Sequence, residues 1–247
     1  LERTEGERLL RRLLREIADA DWAVMPVAIE QRLQRIIREA SGNPDPYRRL
    51  KDKMNNIALA LLPALTETLQ QQPDQREAVT RLAIAGNLLD AGSKNRLEPE
   101  NLEHALQAVW NKPLVGNIDE LFSAADQAGH ILYLADNAGE IVFDRLLIEA
   151  LPTHKIVAAV RGAPVINDAT MADAQIAGIS KIVRVITNGS DAPGTLLDEC
   201  SAEFRACFNR ADLIIAKGQG NYETLADADN RVFFLLTVKC PMIAASI

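Results

Sequence analysis

The sequence predicts an α/β fold: a Rossmann-like, mostly parallel, doubly wound sheet in residues 129–247, preceded by an N-terminal all-helical cap domain in residues 1–128. Two observations carry this. Before His130 the apolar residues recur with a helical period, and after it short apolar runs alternate with helical or turn segments. Apolar strands separated by helices indicate a parallel sheet covered on both faces. A chain of 247 residues can bury a core of that size, and 48% hydrophobic with 25% charged residues is an ordinary globular composition.

Leu9, Leu10, Leu13, Leu14 and Ile17 form the first apolar stripe, with Arg8, Arg11, Arg12 and Arg15 opposite it. Ile29, Leu33, Ile36, Ile37 and Ala40 repeat the period until Ser41-Gly42-Asn43-Pro44 breaks it. Leu50, Met54, Ile57, Leu61 and Leu65 mark a third helix. A fourth is predicted from Glu77 to Leu89, and shorter helical patterns follow at Leu102 to Val109 and Ile118 to Ala128. Ile131 to Leu134 is the first strand; it leads into the turn-like Asp136-Asn137-Ala138-Gly139 and an amphipathic helix, Ile141 to Leu151. Further strands are predicted at Ile156 to Val160, Ile182 to Ile186, Leu213 to Ala216 and Val232 to Thr237.

Several function classes are set aside by composition. The net charge of -7 and the absence of a basic stripe argue against nucleic acid as a partner. No apolar run approaches the ~20 residues that span a bilayer, so no membrane role is expected, and no signal-peptide pattern opens the chain. Cys200, Cys207 and Cys240 make neither a disulfide framework nor a C-x-x-C site, which fits buried or idle thiols in a reducing cytoplasm. The sequence opens on Leu1 rather than Met, so its termini are read as open.

In an open parallel sheet, ligands bind beyond the carboxyl ends of the strands. That rule selects Asp136 and Asn137 after the first strand, Arg161 to Asp168 after the second, Lys217 to Glu223 after the fourth and Lys239 after the fifth. A carboxylate beside an amide offers two hard oxygen ligands, suited to Mg²⁺ or Mn²⁺, and Asp168 can add a third. Helix capping is the alternative for each of these residues. Lys217-Gly218-Gln219-Gly220-Asn221-Tyr222-Glu223 reads as a loop whose glycines permit close backbone approach to an anion, with a plain tight turn as the alternative. It lacks the third glycine of a dinucleotide fingerprint, and no Walker loop occurs. Lys239 can hold a phosphate as a point charge, or sit solvated at the surface. His104, His130 and His154 show no ligand spacing.

Taken in order, Leu134-Ala-Asp-Asn-Ala-Gly-Glu-Ile141, Val165-Ile-Asn-Asp-Ala-Thr170, Ala216-Lys-Gly-Gln-Gly-Asn-Tyr-Glu223 and Leu236-Thr-Val-Lys239 resemble the damage-control phosphatases. The helical half resembles that family's cap, including Asp45-Pro46-Tyr47 and Ala85-Gly-Asn-Leu-Leu-Asp90. The resemblance implies a divalent metal held by Asp136, Asn137 and Asp168. It implies substrate contacts from Gln219, Gly220, Asn221, Tyr222 and Glu223, and a phosphate contact from Lys239. Leu236 stands where some relatives carry an arginine, and the N-terminal cysteine motif of compact relatives is absent from this sequence.

The expected function is therefore metal-dependent hydrolysis of a small phosphorylated metabolite, with Asp136 and Lys239 as catalytic residues. The nucleophile is left open between a metal-activated water and Asp136 itself. Mn²⁺, Mg²⁺, Co²⁺ and Ni²⁺ all suit such ligands. Asn87 and Asp90 are candidates to reach the cleft from the cap, or to serve as interhelical polar residues. The competing readings are a non-catalytic metal- or nucleotide-binding module and, less favoured, an S-adenosylmethionine-dependent methyltransferase.

Overall fold

The structure is a computed structural model that describes residues 3–21, 23–86, 108–239 and 241–246. Its first half is helical, as the periodicity predicts: α1 (Arg3–Ala18), α2 (Pro26–Ser41), α3 (Arg48–Gln70), α4 (Gln75–Ala85) and α5 (Ile118–Gln127). Local chemistry sets several of their ends. Pro26 opens α2 and Gly42, at φ 61°, closes it. The Asp74 side chain caps α4 at the Glu77 N–H, and Asn117 caps α5 at the Glu120 N–H. The apolar stripe of α1 stays largely in solvent, with Leu10 and Leu14 each 57% exposed. The predicted helix at Leu102 to Val109 and the end of the Glu77 to Leu89 helix lie mostly outside the described residues.

The second half alternates strand and helix: β1 (Ile131–Leu134), α6 (Glu140–Ala150), β2 (Ile156–Val160), α7 (Met171–Ile176), β3 (Arg184–Thr187), α8 (Ala202–Arg210), β4 (Leu213–Lys217), α9 (Gly218–Leu225), β5 (Val232–Leu235) and α10 (Pro241–Ser246). The strands form one parallel sheet in the order β3-β2-β1-β4-β5. Two predicted boundaries move for local reasons. Ile182 closes a 3-10 turn onto the Ile179 carbonyl, so β3 starts later. β5 stops at Leu235 because its partner β4 ends at Lys217, where the chain turns into α9.

Strand alternation divides the core. Ile131 and Tyr133 of β1, with Ile215 of β4, face a cluster that takes in Met54, Ala58, Leu82, Ala83, Leu121, Phe122, Phe143 and Leu147. Leu132, Leu134, Ile214 and Ala216 face the other way, onto Phe204 and Phe208 of α8. The helices α3, α4 and α5 therefore bury their apolar faces in the same core as one side of the sheet. Two of the packing relations are α4 along α6 and α3 against α6.

Leu82 is completely buried in that shared core. Leu82→Ala is expected to cost about 2–5 kcal/mol and to leave a single urea transition followed by both far-UV circular dichroism and tryptophan fluorescence. Two separated transitions would instead reveal a helical half that melts independently of the sheet.

Candidate functional site

The site is built where the chain leaves β1 and β2. After β1 the backbone runs through Asp136 and Asn137 into α6, and after β2 it passes Arg161 and makes the turn Val165 to Asp168. These two segments pair as an isolated antiparallel bridge between Asn137 and Asp168. The Ala138 N–H donates to the Asn167 carbonyl at 2.8 Å, and the Ala169 N–H to the Asp136 carbonyl at 2.7 Å. The structure thus brings Asp136, Asn137 and Asp168 together, with 8, 7 and 4% exposure. The turn is closed by the Asp168 N–H on the Val165 carbonyl, and it forces Ile166 to φ 40°. A β-branched residue there costs about 1–3 kcal/mol; the bridge holds it.

Capping does not account for these residues. Gly139 is the N-cap of α6 and makes no side-chain cap bond, while α7 is capped reciprocally by Thr170 and Asp173. Neither helix takes its cap from Asp136 or Asp168.

The sheet order sets β4 beside β1, so the chain reverses direction across the sheet at the strand ends between them. Lys217 to Glu223, expected to be a loop, is the end of β4 followed directly by the first turns of α9. The glycines are needed for close approach, as the sequence suggested, but within a helix start. Gly218 sits at φ 76°, and a Cβ there would overlap the Asp136 carboxylate. A Cβ on Gly220 would overlap the Pro193 carbonyl oxygen.

Two buried cations of the site are Lys217 and Arg161, which open two of the segments selected from the sequence but were given no role of their own there. Lys239, the expected cation, is exposed beyond β5. Lys217 is fully buried and donates to Glu140 Oε1 at 2.5 Å, Asp144 Oδ1 at 2.7 Å and the Ala83 carbonyl of α4 at 2.8 Å. Arg161 donates from Nε to Asp168 Oδ2 at 2.6 Å, and its Nη2 lies 3.6 Å from Asp136 Oδ1. The missed signal was positional: both residues end or directly follow a central strand, where a cation has no solvent to reach.

Four carboxyl groups, Asp136, Glu140, Asp144 and Asp168, face these two cations in a buried setting. Burial pushes the Asp136 carboxyl well above its ordinary value, helped by Glu140 and Asp168 and opposed by Arg161 and Lys217. Burial also raises Asp144 to about 6, against the pull of Lys217. For Lys217 burial acts downward, but Asp144 and Glu140 outweigh it and the ammonium is held more firmly than usual.

The donor set suits a hard divalent cation. Asn137 Nδ2 donates to Asp136 Oδ2 at 2.6 Å and to Glu140 Oε2 at 3.0 Å, which leaves the amide oxygen as the atom it can offer. Two carboxyl groups and one amide oxygen are hard oxygen donors of the kind that suit Mg²⁺ or Mn²⁺. Among the described residues no three His, Cys, Asp or Glu side chains converge as a metal-holding group.

The remaining predicted residues divide. Asn221 is buried and structural in its contacts: Oδ1 accepts from Thr195 Oγ1 at 2.8 Å and Arg161 Nη1 at 3.2 Å, and Nδ2 donates to the Lys217 carbonyl at 2.7 Å. Gln219 donates to Glu223 at 2.7 Å, both half-buried, and Tyr222 stacks edge-on against Phe234 with ring centroids 5.0 Å apart. Asn87 and Asp90 lie outside the described residues. Among the described residues, the helical half reaches the site through α3 as well as the Ala83 carbonyl of α4. Asn55 Oδ1 accepts the Gly139 N–H at 2.7 Å, and its Nδ2 donates to Asp173 at 2.9 Å. Lys51, fully buried, lies 3.2 Å from Asp45, 3.4 Å from Asp173 and 3.5 Å from the Asp168 carbonyl.

The family model described as the damage-control phosphatase ARMT1-like domain matches residues 1–247. A protein of Methanocaldococcus jannaschii without an assigned function is 38% identical over 98% of this chain and 83% of its own. Damage-control phosphatases of Pyrococcus horikoshii and Archaeoglobus fulgidus are 38 and 37% identical. The alignments cover 82 and 87% of this chain, and 71 and 76% of theirs. The crystal structure of a DUF89 family protein from P. horikoshii superposes with a TM-score of 0.88 at 33% identity, covering 98% of this chain and 86% of that one.

Two outcomes follow from the geometry. Gly218→Ala places a methyl group against Asp136 at a positive φ, and is expected to cost at least about 1–3 kcal/mol, read as a lower denaturant midpoint; wild-type stability would show that α9 can shift freely. The second concerns pH. The folded-state value of Asp144 lies above the ordinary 3.8, so the native state holds this proton better than the unfolded chain. Its stabilising contribution is full below about pH 3.8 and is lost as pH rises through about 6. Melting temperatures of wild type should therefore fall across that window more steeply than those of Asp144→Asn; parallel slopes would mean that Asp144 does not titrate there.

Proposed function

The chain belongs to the damage-control phosphatase family, and from that premise we propose that it hydrolyses small phosphomonoesters with a divalent metal held by Asp136, Asn137 and Asp168. The observation that carries the metal assignment is convergence: the buried Asp136 and Asp168 carboxyl groups are brought together by the Asn137–Asp168 bridge, beside an Asn137 amide oxygen that is still available. A cation bound there supplies Lewis-acid polarisation of a phosphoryl oxygen.

The chain's own groups do the rest. Burial first, then Glu140 and Asp168, push the Asp136 carboxyl upward; a cation held there would favour its charged form. Lys217 keeps Glu140 and Asp144 fixed behind the site, which aims the Asn137 amide. The low exposure of the three ligands keeps water out and strengthens each charge interaction. Gln219 and Glu223 at the start of α9, with Lys239 after β5, are assigned to substrate. Asn221 supports them from below, and Gly220 lets α9 sit close to the 193–194 loop. The cap, residues 1–128, would set substrate size.

The substrate class is small phosphorylated metabolites such as sugar phosphates, and Mn²⁺, Mg²⁺, Co²⁺ and Ni²⁺ are the candidate metals. Among the described residues no helix is long and apolar enough to cross a membrane, and we place the protein in the cytoplasm with no nucleic-acid partner.

Phosphate release from p-nitrophenyl phosphate and a sugar-phosphate panel should vanish in EDTA and return with one of the four metals. Asp136→Asn, which keeps the side-chain shape, should lower kcat by roughly 10²–10³-fold with the fold intact. Folded wild-type protein that releases no phosphate with any metal would instead favour a binding module.

A further inference from the structure

We propose that Arg161 is the site's fixed receptor for a phosphoryl oxygen of the substrate, and that its Nη2 group is the donor. The inference rests on the phosphatase reading above and adds a substrate-contacting residue to it. Arg161 is 3% exposed, and its guanidinium is clamped from three sides. Nε donates to Asp168 Oδ2 at 2.6 Å. Nη1 donates to the Gly194 carbonyl at 2.8 Å, and lies 3.2 Å from Asn221 Oδ1 and 3.4 Å from Thr195 Oγ1. The clamp is itself anchored, because Asn221 is tied to the Lys217 carbonyl and to the Thr195 hydroxyl.

Nη2 alone has no hydrogen bond, although it is buried. Its nearest anion, Asp136 Oδ1, stands 3.6 Å off. A buried charged donor left unbonded is costly, and Nε and Nη1 by themselves already tie the two turns to the 194–195 loop. The free arm of the planar fork is therefore in excess of what structure requires. It is held in a fixed direction beside Asp136, a metal-ligand carboxylate. The species that completes it must accept hydrogen bonds and must tolerate a neighbouring cation, which describes an anionic oxygen. A phosphoryl oxygen placed there would bond to Arg161 while another oxygen of the same group faces Asp136, Asn137 and Asp168. A lysine ammonium lacks the rigid fork and could not keep the Asp168, Gly194 and Asn221 bonds while presenting a donor to the substrate.

The test compares wild type with Arg161→Gln and Arg161→Lys. Circular dichroism would verify the fold, calorimetry would give Mg²⁺ affinity and inorganic phosphate affinity of the Mg²⁺-loaded protein, and p-nitrophenyl phosphate turnover would be followed in parallel. Loss of one charge-assisted bond should weaken phosphate by about 10- to 100-fold in Arg161→Gln, with Arg161→Lys between it and wild type, and with Mg²⁺ bound as tightly as before or more so. A folded Arg161→Gln protein that binds phosphate like wild type overturns the proposal, as does one that no longer binds Mg²⁺, since Arg161 would then serve only to hold the carboxylates. If neither variant folds, Thr195→Val, which removes one acceptor from the clamp, should still weaken phosphate; unchanged affinity there overturns the proposal. Wild-type turnover alongside unaltered phosphate binding in Arg161→Gln defeats this inference alone. A wild type with neither turnover nor phosphate binding defeats the phosphatase reading with it.

Discussion

Moving a carboxylate out of water is unfavourable unless charge and hydrogen bonds are returned to it, and around one end of this sheet the fold must do so for Asp136, Glu140, Asp144 and Asp168. Much of the local architecture answers that demand. Lys217 ends β4 inside the protein so that its ammonium can serve Glu140 and Asp144 at once. Arg161 leaves β2 to lie against Asp168 and Asp136. The Asn137–Asp168 bridge ties the two turns through backbone bonds, so that their side chains can be directed elsewhere. Among the described residues these two buried cations are the ones that face the four acids.

The sequence revealed the sheet and the helical half well, because both depend on periodicity. The turns were legible too: Asp136-Asn137 and Asn167-Asp168 stand out as polar residues after apolar runs. Asp136, Asn137 and Asp168 meet as a parallel sheet with neighbouring β1 and β2 requires. What escaped was charge buried at long range. Lys217 looks like an ordinary loop lysine until Glu140 and Asp144 are seen behind it, 77 and 73 residues away in the chain. Arg161 looked like one residue of a turn. Lys239 drew the role of site cation because it follows the last predicted strand, a position that says nothing about burial. The glycines of α9 were read correctly as close-approach positions and wrongly as loop, since two glycines in three residues weaken a helix that packing against Asp136 and Pro193 nevertheless imposes.

The cap is more than a cover. Met54 backs Gly139, Asn55 receives its N–H, and Lys51 sits beside the Asp168 carbonyl. From α4, the Ala83 carbonyl accepts from Lys217, and Gly86 leaves room for Glu140. Further out, Arg35, Arg38 and Gln31 of α2 all engage Asp191 after β3. The helices of the N-terminal half and the turns that carry Asp136, Asn137 and Asp168 are therefore mechanically continuous, and a change in α3 or α4 is felt at those turns.

These contacts also bear on how the chain is made. The partners of Asn55, Lys51 and Ala83 lie 118, 117 and 134 residues downstream. A ribosome adding about 5–20 residues per second reaches them roughly 6–27 s after the helices emerge. For that interval Lys51 and Asn55 lack their downstream partners, and the apolar face of α3 and α4 has no sheet to cover. The last strands to be made thus close a structure whose first helices have been waiting for them.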